Sequence, residues 1–123
     1  MRARRIVPFL TILLLLEPAP AWPHAYLVKS APARRAVLLH APSRVQLWFN
    51  ERLEAQFSHL SVWNREGKQV DRGDVQVGPD DLKLLSVGVG PLAPGPYTVK
   101  FRVLSVDGHV VEEQFPFTIR GSP

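Results

Sequence analysis

Cysteine is absent from this chain of 123 residues, which excludes disulfide bonds and thiolate metal ligands and leaves an apolar core to stabilise the fold unaided. Methionine is almost absent: Met1 is the only one, so there is no thioether cluster to hold a soft metal ion. The apolar run Ile6 to Leu16 is eleven residues long and interrupted by Pro8 and Thr11, short for a membrane span. No segment carries a convincing helical period. A glycine-rich phosphate loop, a Gly-x-Ser-x-Gly elbow and a His-Glu-x-x-His zinc helix are all missing, which removes the commonest small-enzyme signatures. The basic residues are scattered and have no aromatic ladder beside them, so nucleic acid is not an expected partner.

What is present begins with Arg2, Arg4 and Arg5 ahead of that short apolar run, followed by small residues and prolines from Glu17 to Pro23. This order reads as a secretory signal over residues 1–23, with an uncleaved anchor as the alternative. Ala19-Pro20-Ala21 is the better small-x-small match and would make Trp22 the first residue. A cut after Pro23 would make it His24. The remaining 24–123 is long enough for one compact domain and too short for two. The leader holds three arginines and Glu17, so the formal net charge of +4 falls to +2 once it is removed.

The signals along 24–123 are those of strands. Val45, Leu47 and Phe49 alternate with Gln46, Trp48 and Asn50. Leu60 and Val62 continue the pattern up to a hairpin turn at Glu66-Gly67. Leu82 to Val89 is a further apolar stretch. Tyr97, Val99, Phe101 and Val103 share one face of a long strand, and Val111, Phe115, Phe117 and Ile119 share one face of the last. Tyr97 directly follows a Pro-Gly-Pro turn, the placement of a tyrosine corner in Greek-key sandwiches. About seven short strands predict an all-β, antiparallel Greek-key sandwich. Prolines between strands would fix corners and block edge pairing.

Four histidines are candidates for chemistry. His24 as a chain terminus would offer an imidazole and an amine together, while Asp107 and His109, two apart, would project to one side of an extended segment. Nitrogen and carboxylate donors around one plane suit divalent copper. The plainer reading of Asp107-Gly108-His109 is a turn, with Gly108 supplying a positive φ. His40 reads as a loop side chain and His59 as a surface residue. Ser105, Asp107 and His109 hint at a triad, but residues two apart on a strand lie about 6.6 Å apart along it, too far for a nucleophile and its base.

His24-Ala25-Tyr26-Leu27, Ser30-Ala31-Pro32, Leu47-Trp48-Phe49-Asn50-Glu51, Gln56-Phe57-Ser58, Pro94-Gly95-Pro96-Tyr97-Thr98-Val99 and Arg102 to His109 followed by Phe115-Pro116-Phe117 resemble, in order and spacing, the CopC family of periplasmic copper-binding proteins. The resemblance covers essentially all of 24–123. It implies an immunoglobulin-like or cupredoxin-like β-sandwich or barrel and a single copper(II) held by His24, Asp107 and His109. It also implies a monomeric periplasmic carrier, buffer or chaperone in copper homeostasis or resistance, with a CopD-like copper transporter of the inner membrane as a partner. Glu51, in the segment resembling the family's Phe-Ser-Glu, is an outer or occasional ligand by resemblance and a solvated strand-end charge by default. The sequence departs from the family's methionine-rich members in having only Met1, and Pro23 before His24 is a poor residue for signal cleavage. Two alternatives stay open: a copper-dependent oxidative enzyme using an N-terminal histidine, disfavoured by Asp107 and by the domain's small size, and an immunoglobulin-like interaction module that binds no metal.

Overall fold

A computed structural model describes residues 25–121. The 1–23 leader, with both candidate cleavage positions, and His24 lie outside the described residues. The strands are β1 (Leu27–Ala31), β2 (Val37–Leu38), β3 (Arg44–Phe49), β4 (His59–Asn64), β5 (Gln76–Val77), β6 (Leu84–Gly88), β7 (Gly95–Leu104) and β8 (Val110–Ile119). Among the described residues the one helical element is a 3-10 turn at Ala55–Phe57.

Two four-stranded sheets form, in the orders β1-β3-β6-β5 and β2-β8-β7-β4. They remain separate, so the architecture is a sandwich rather than a closed barrel. All pairings are antiparallel except that of β2 with β8. There are eight strands where about seven were expected. The short elements β2 and β5 have two residues each and cannot express a period.

Alternation decides which side chains meet between the sheets. Val45, Leu47 and Phe49 of β3, Leu60 and Val62 of β4, Tyr97, Val99, Phe101 and Val103 of β7, and Phe115, Phe117 and Ile119 of β8 are all buried in one cluster. Burying each such side chain contributes about 1.5–3 kcal/mol, which is how a domain without disulfides holds together. Phe49 and Phe101 meet edge to face across the sheets at 5.5 Å. In β6, Leu85 and Val87 face the core, and the other face is covered as well: Arg44 Nη2 donates to Ser86 Oγ at 2.9 Å, and Asp74 Oδ1 accepts from Gly88 N–H at 2.8 Å.

The hairpin of β7 with β8 is the longest in the fold, in register from Gly95↔Ile119 to Leu104↔Val110. At its open end the Tyr97 hydroxyl donates to Ala93 O at 2.6 Å, which is the tyrosine corner expected from the sequence. Tyr97 also stacks on Phe117 with ring centres 5.4 Å apart. At its closed end the chain turns through residues 105–109, which include Asp107 and His109.

Burial, and after it the charge of Glu66, push the Tyr97 phenol above its ordinary pKa. A folded-state pKa above the unfolded one gives stability that is complete below the unfolded value of about 10 and is lost as pH rises through the folded value. Replacing Tyr97 with Phe is expected to cost about 1 kcal/mol at neutral pH. It should also flatten the alkaline decline. Urea denaturation of both proteins at pH 7 and above pH 10 checks this, and equal slopes of stability against pH would contradict it.

Candidate metal centre

Each side of the site is positioned by backbone bonds that follow from where strands end. Beyond β3 the chain cannot continue its ladder with β1, and Asn50 finishes it: Asn50 N–H donates to Tyr26 O at 3.2 Å, and Tyr26 N–H donates to Asn50 Oδ1 at 2.6 Å. Glu51 follows immediately. The next residues are laced to the closed end of the β7–β8 hairpin, with Val106 N–H donating to Arg52 O at 2.9 Å, Glu54 N–H to Leu104 O at 2.8 Å, and Leu53 bridging to Ser105. The loop after β3 therefore lies directly against the turn that carries Asp107 and His109.

That turn is tight. Ser105 N–H donates to His109 O and Gly108 N–H to Ser105 O, both at 2.9 Å. Gly108 has φ +88°, a conformation that side chains with a Cβ rarely adopt. Asp107 and His109 thus sit on a turn and not on the extended segment that their two-residue spacing suggested. The plainer reading of Asp-Gly-His describes the backbone correctly, yet the turn still directs both side chains to one place.

Glu51, Asp107 and His109 each bring a ligand atom within 4.8 Å of the others. Glu51 Oε2 faces His109 Nδ1 at 3.6 Å, with the two side chains 14% and 29% exposed. Oε2 is closed to solvent and takes no hydrogen bond, an arrangement that favours a cation or a protonated donor beside it. Hydrogen bonding from the Ser105 side chain holds the Glu51 carboxyl below the usual range, against burial, which pushes it up. Asp107 and the attraction of His109 lower it further. Glu51 is consequently an anion facing an imidazole at the mouth of the site.

The structure brings together Asp107 and His109 from the expected set, and His24 lies outside the described residues. Glu51 joins them, although by default it read as a solvated charge. The signal that pointed to it was the resemblance of Phe49-Asn50-Glu51 to the family's Phe-Ser-Glu, whereas its place at a strand end suggested only a solvated charge. Ser105 meets the backbone N–H of His109 through its hydroxyl at 3.2 Å, so its contact with His109 is not that of a catalytic triad. His40 is exposed after β2, and His59 is exposed at the start of β4, opposite Arg102. Neither belongs to the cluster. Two carboxylates and an imidazole are hard and intermediate donors, a set that fits divalent copper or zinc and not a cuprous ion.

Several known proteins similar to this chain are named for copper. The CopC domain profile matches residues 27–120. The copper transport protein CutJ of Bacillus subtilis is 32% identical over 120 residues, which are 97% of this chain but only 22% of that protein's length. A crystal structure of CopC from Methylosinus trichosporium OB3b has a TM-score of 0.73 and 36% identity, over 79% of this chain and 94% of that one. PcoC, a methionine-rich copper resistance protein from Escherichia coli, has a TM-score of 0.67 and 28% identity over 79% of this chain and 99% of its own. With a profile match over most of its length and the same sandwich in solved members, this chain belongs to the CopC domain family, and its relatives include proteins named for copper resistance and copper transport.

Proposed function

We propose that this domain binds one copper(II) ion through His24, Asp107 and His109 and carries or buffers it outside the cytoplasm. The observation that carries the reading is the convergence of Glu51, Asp107 and His109 at one end of the sandwich. The N-terminal segment is tethered to that same end. Tyr26 is bonded on both sides to Asn50, the neighbour of Glu51, and His24 stands two residues before Tyr26. Two residues span at most about 7 Å, so a mature chain beginning at His24 would have its imidazole and amine on a short leash beside the cluster.

Within this reading the roles divide by donor. His109 turns Nδ1 towards Glu51 Oε2 at 3.6 Å, which leaves Nε2 for the metal and sets a carboxylate beside the ring. Asp107, exposed at the tip of the turn, supplies a carboxylate oxygen. Copper(II) heads the divalent affinity order, so such a set selects it over zinc at equal free concentration. With no thiolate or thioether in reach the site favours the oxidised ion, which suits holding and delivery better than electron transfer or oxidative catalysis.

The leader over 1–23 directs the chain to the periplasm in this account, and residues 24–123 form the copper-binding domain, acting as a monomer. No helix among the described residues is long and apolar enough to cross a membrane. In this account a CopD-like protein of the inner membrane is the partner that passes copper through the membrane. In CutJ a region like this chain makes up about a fifth of a longer protein named for copper transport.

Titration of the protein starting at His24 should show one tightly bound copper(II) with a tetragonal paramagnetic spectrum, and a rise in melting temperature at saturation. Replacing His109 with Ala should weaken binding by more than the roughly 10–100-fold typical of losing an outer-shell partner, whereas alanine at His40 or His59 should leave it unchanged. Unaltered affinity after the His109 substitution would end the proposal. Protons compete for every nitrogen donor, so the affinity should also fall as pH falls; a flat profile between pH 8 and pH 5 would count against nitrogen ligation.

A further inference from the structure

Asn50 does more at the end of β3 than close a ladder. In a regular antiparallel pair, two residues facing each other at a hydrogen-bonded position exchange two main-chain bonds. Tyr26 and Asn50 make one such bond, Asn50 N–H to Tyr26 O at 3.2 Å, but the reciprocal Tyr26 N–H is taken by the Asn50 side chain, whose Oδ1 accepts it at 2.6 Å. A side-chain acceptor lets the main chain leave the ladder towards Glu51 while the N-terminal segment stays held. The hold falls immediately behind His24. Ala25 is only 3% exposed, whereas the Tyr26 side chain is 54% exposed. The segment is therefore fixed by the buried Ala25 methyl and the two bonds at Tyr26, and not by packing of the tyrosine ring.

We propose that the Asn50 side chain is a positioning residue for the amino-terminal donors, its amide oxygen holding the chain at Tyr26 so that His24 is presented to Asp107 and His109. The inference rests on the copper-binding reading above and deepens it, by naming the group that keeps the terminus in place before metal arrives. Ligation has to immobilise the chain end, and an end already held loses less freedom, which raises affinity without adding a ligand. Asn50 directly precedes Glu51, so one residue ties the terminus to the loop that brings a carboxylate into the cluster. The amide oxygen is an acceptor that carries no charge, and so holds an N–H without competing for the cation. Asn50 touches no metal in this arrangement and acts only through Tyr26, and thus through His24. A residue that merely finished the sandwich would matter equally with and without His24.

The experiment is a cycle on copper(II) affinity, with Asn50→Ala made both in the protein starting at His24 and in the protein starting at Ala25, alongside amide hydrogen exchange of the metal-free proteins. In the His24 protein the substitution is expected to weaken affinity by about 10-fold, the scale of one intramolecular hydrogen bond. In the Ala25 protein it should cost less than about 2-fold, because the donors it positions are gone. Without metal, the Tyr26 amide should lose protection in Asn50→Ala while the amides of β7 and β8 keep theirs. Asn50→Asp, which retains an acceptor oxygen, should keep both the Tyr26 protection and tight binding. Wild-type affinity in Asn50→Ala, an equal loss with and without His24, or an Asp variant as weak as the Ala variant would overturn the inference while leaving the copper reading intact. So would a loss of protection spread through β7 and β8, which would make Asn50 a folding residue. Failure of the unsubstituted His24 protein to bind copper would instead overturn the copper reading, and this inference with it.

Discussion

The ten-residue register of β7 against β8 is the constraint on which the rest depends. It starts at the tyrosine corner, where Tyr97 is tied to Ala93, and runs without slippage to Leu104↔Val110. Because side chains alternate with a period of two, a slip of β8 by one residue would turn Phe115, Phe117 and Ile119 out of the core together. The same register dictates that residues 105–109 must close as a tight turn. The core and the site are thus specified by one pairing, and the energy of the first secures the geometry of the second.

A second pairing completes the arrangement. β3 ends at Phe49, and the loop after it is held to the β7 end by backbone bonds from Glu54 and Val106. These bonds bring Glu51 to His109 although the two are far apart in sequence. Backbone bonds of this kind are insensitive to which side chains sit on them, so the loop can carry chemistry without disturbing the sandwich. Solved relatives in the CopC domain family share the sandwich at 27–36% identity.

Much of the fold was legible because period-two alternation is a strong signal when one face of a strand is buried, as at Val45-Leu47-Phe49 and Tyr97-Val99-Phe101-Val103. The tyrosine corner was legible from a Pro-Gly-Pro turn before Tyr97. β2 and β5 were not, being too short to repeat, and β6 was legible only as part of the apolar stretch Leu82 to Val89. At the site, Asp107 and His109 were legible as a pair, but their spacing suggested an extended strand where Gly108 in fact turns the chain. Turn and donor pair proved compatible readings. Glu51 gave only a faint local signal, since its burial depends on Ser105 and His109 arriving from another part of the chain. Local pattern describes strands well and long-range contacts poorly.

The central claim is that a chain end, a hairpin turn and the loop after β3 converge on one copper(II) ion. The most direct test compares copper(II) affinity and paramagnetic spectra of two otherwise identical proteins, one beginning at His24 and the other at Ala25. The account predicts one tightly bound ion with three nitrogen donors in the first, and much weaker binding with fewer nitrogens in the second. Equal affinities and superimposable spectra would contradict it.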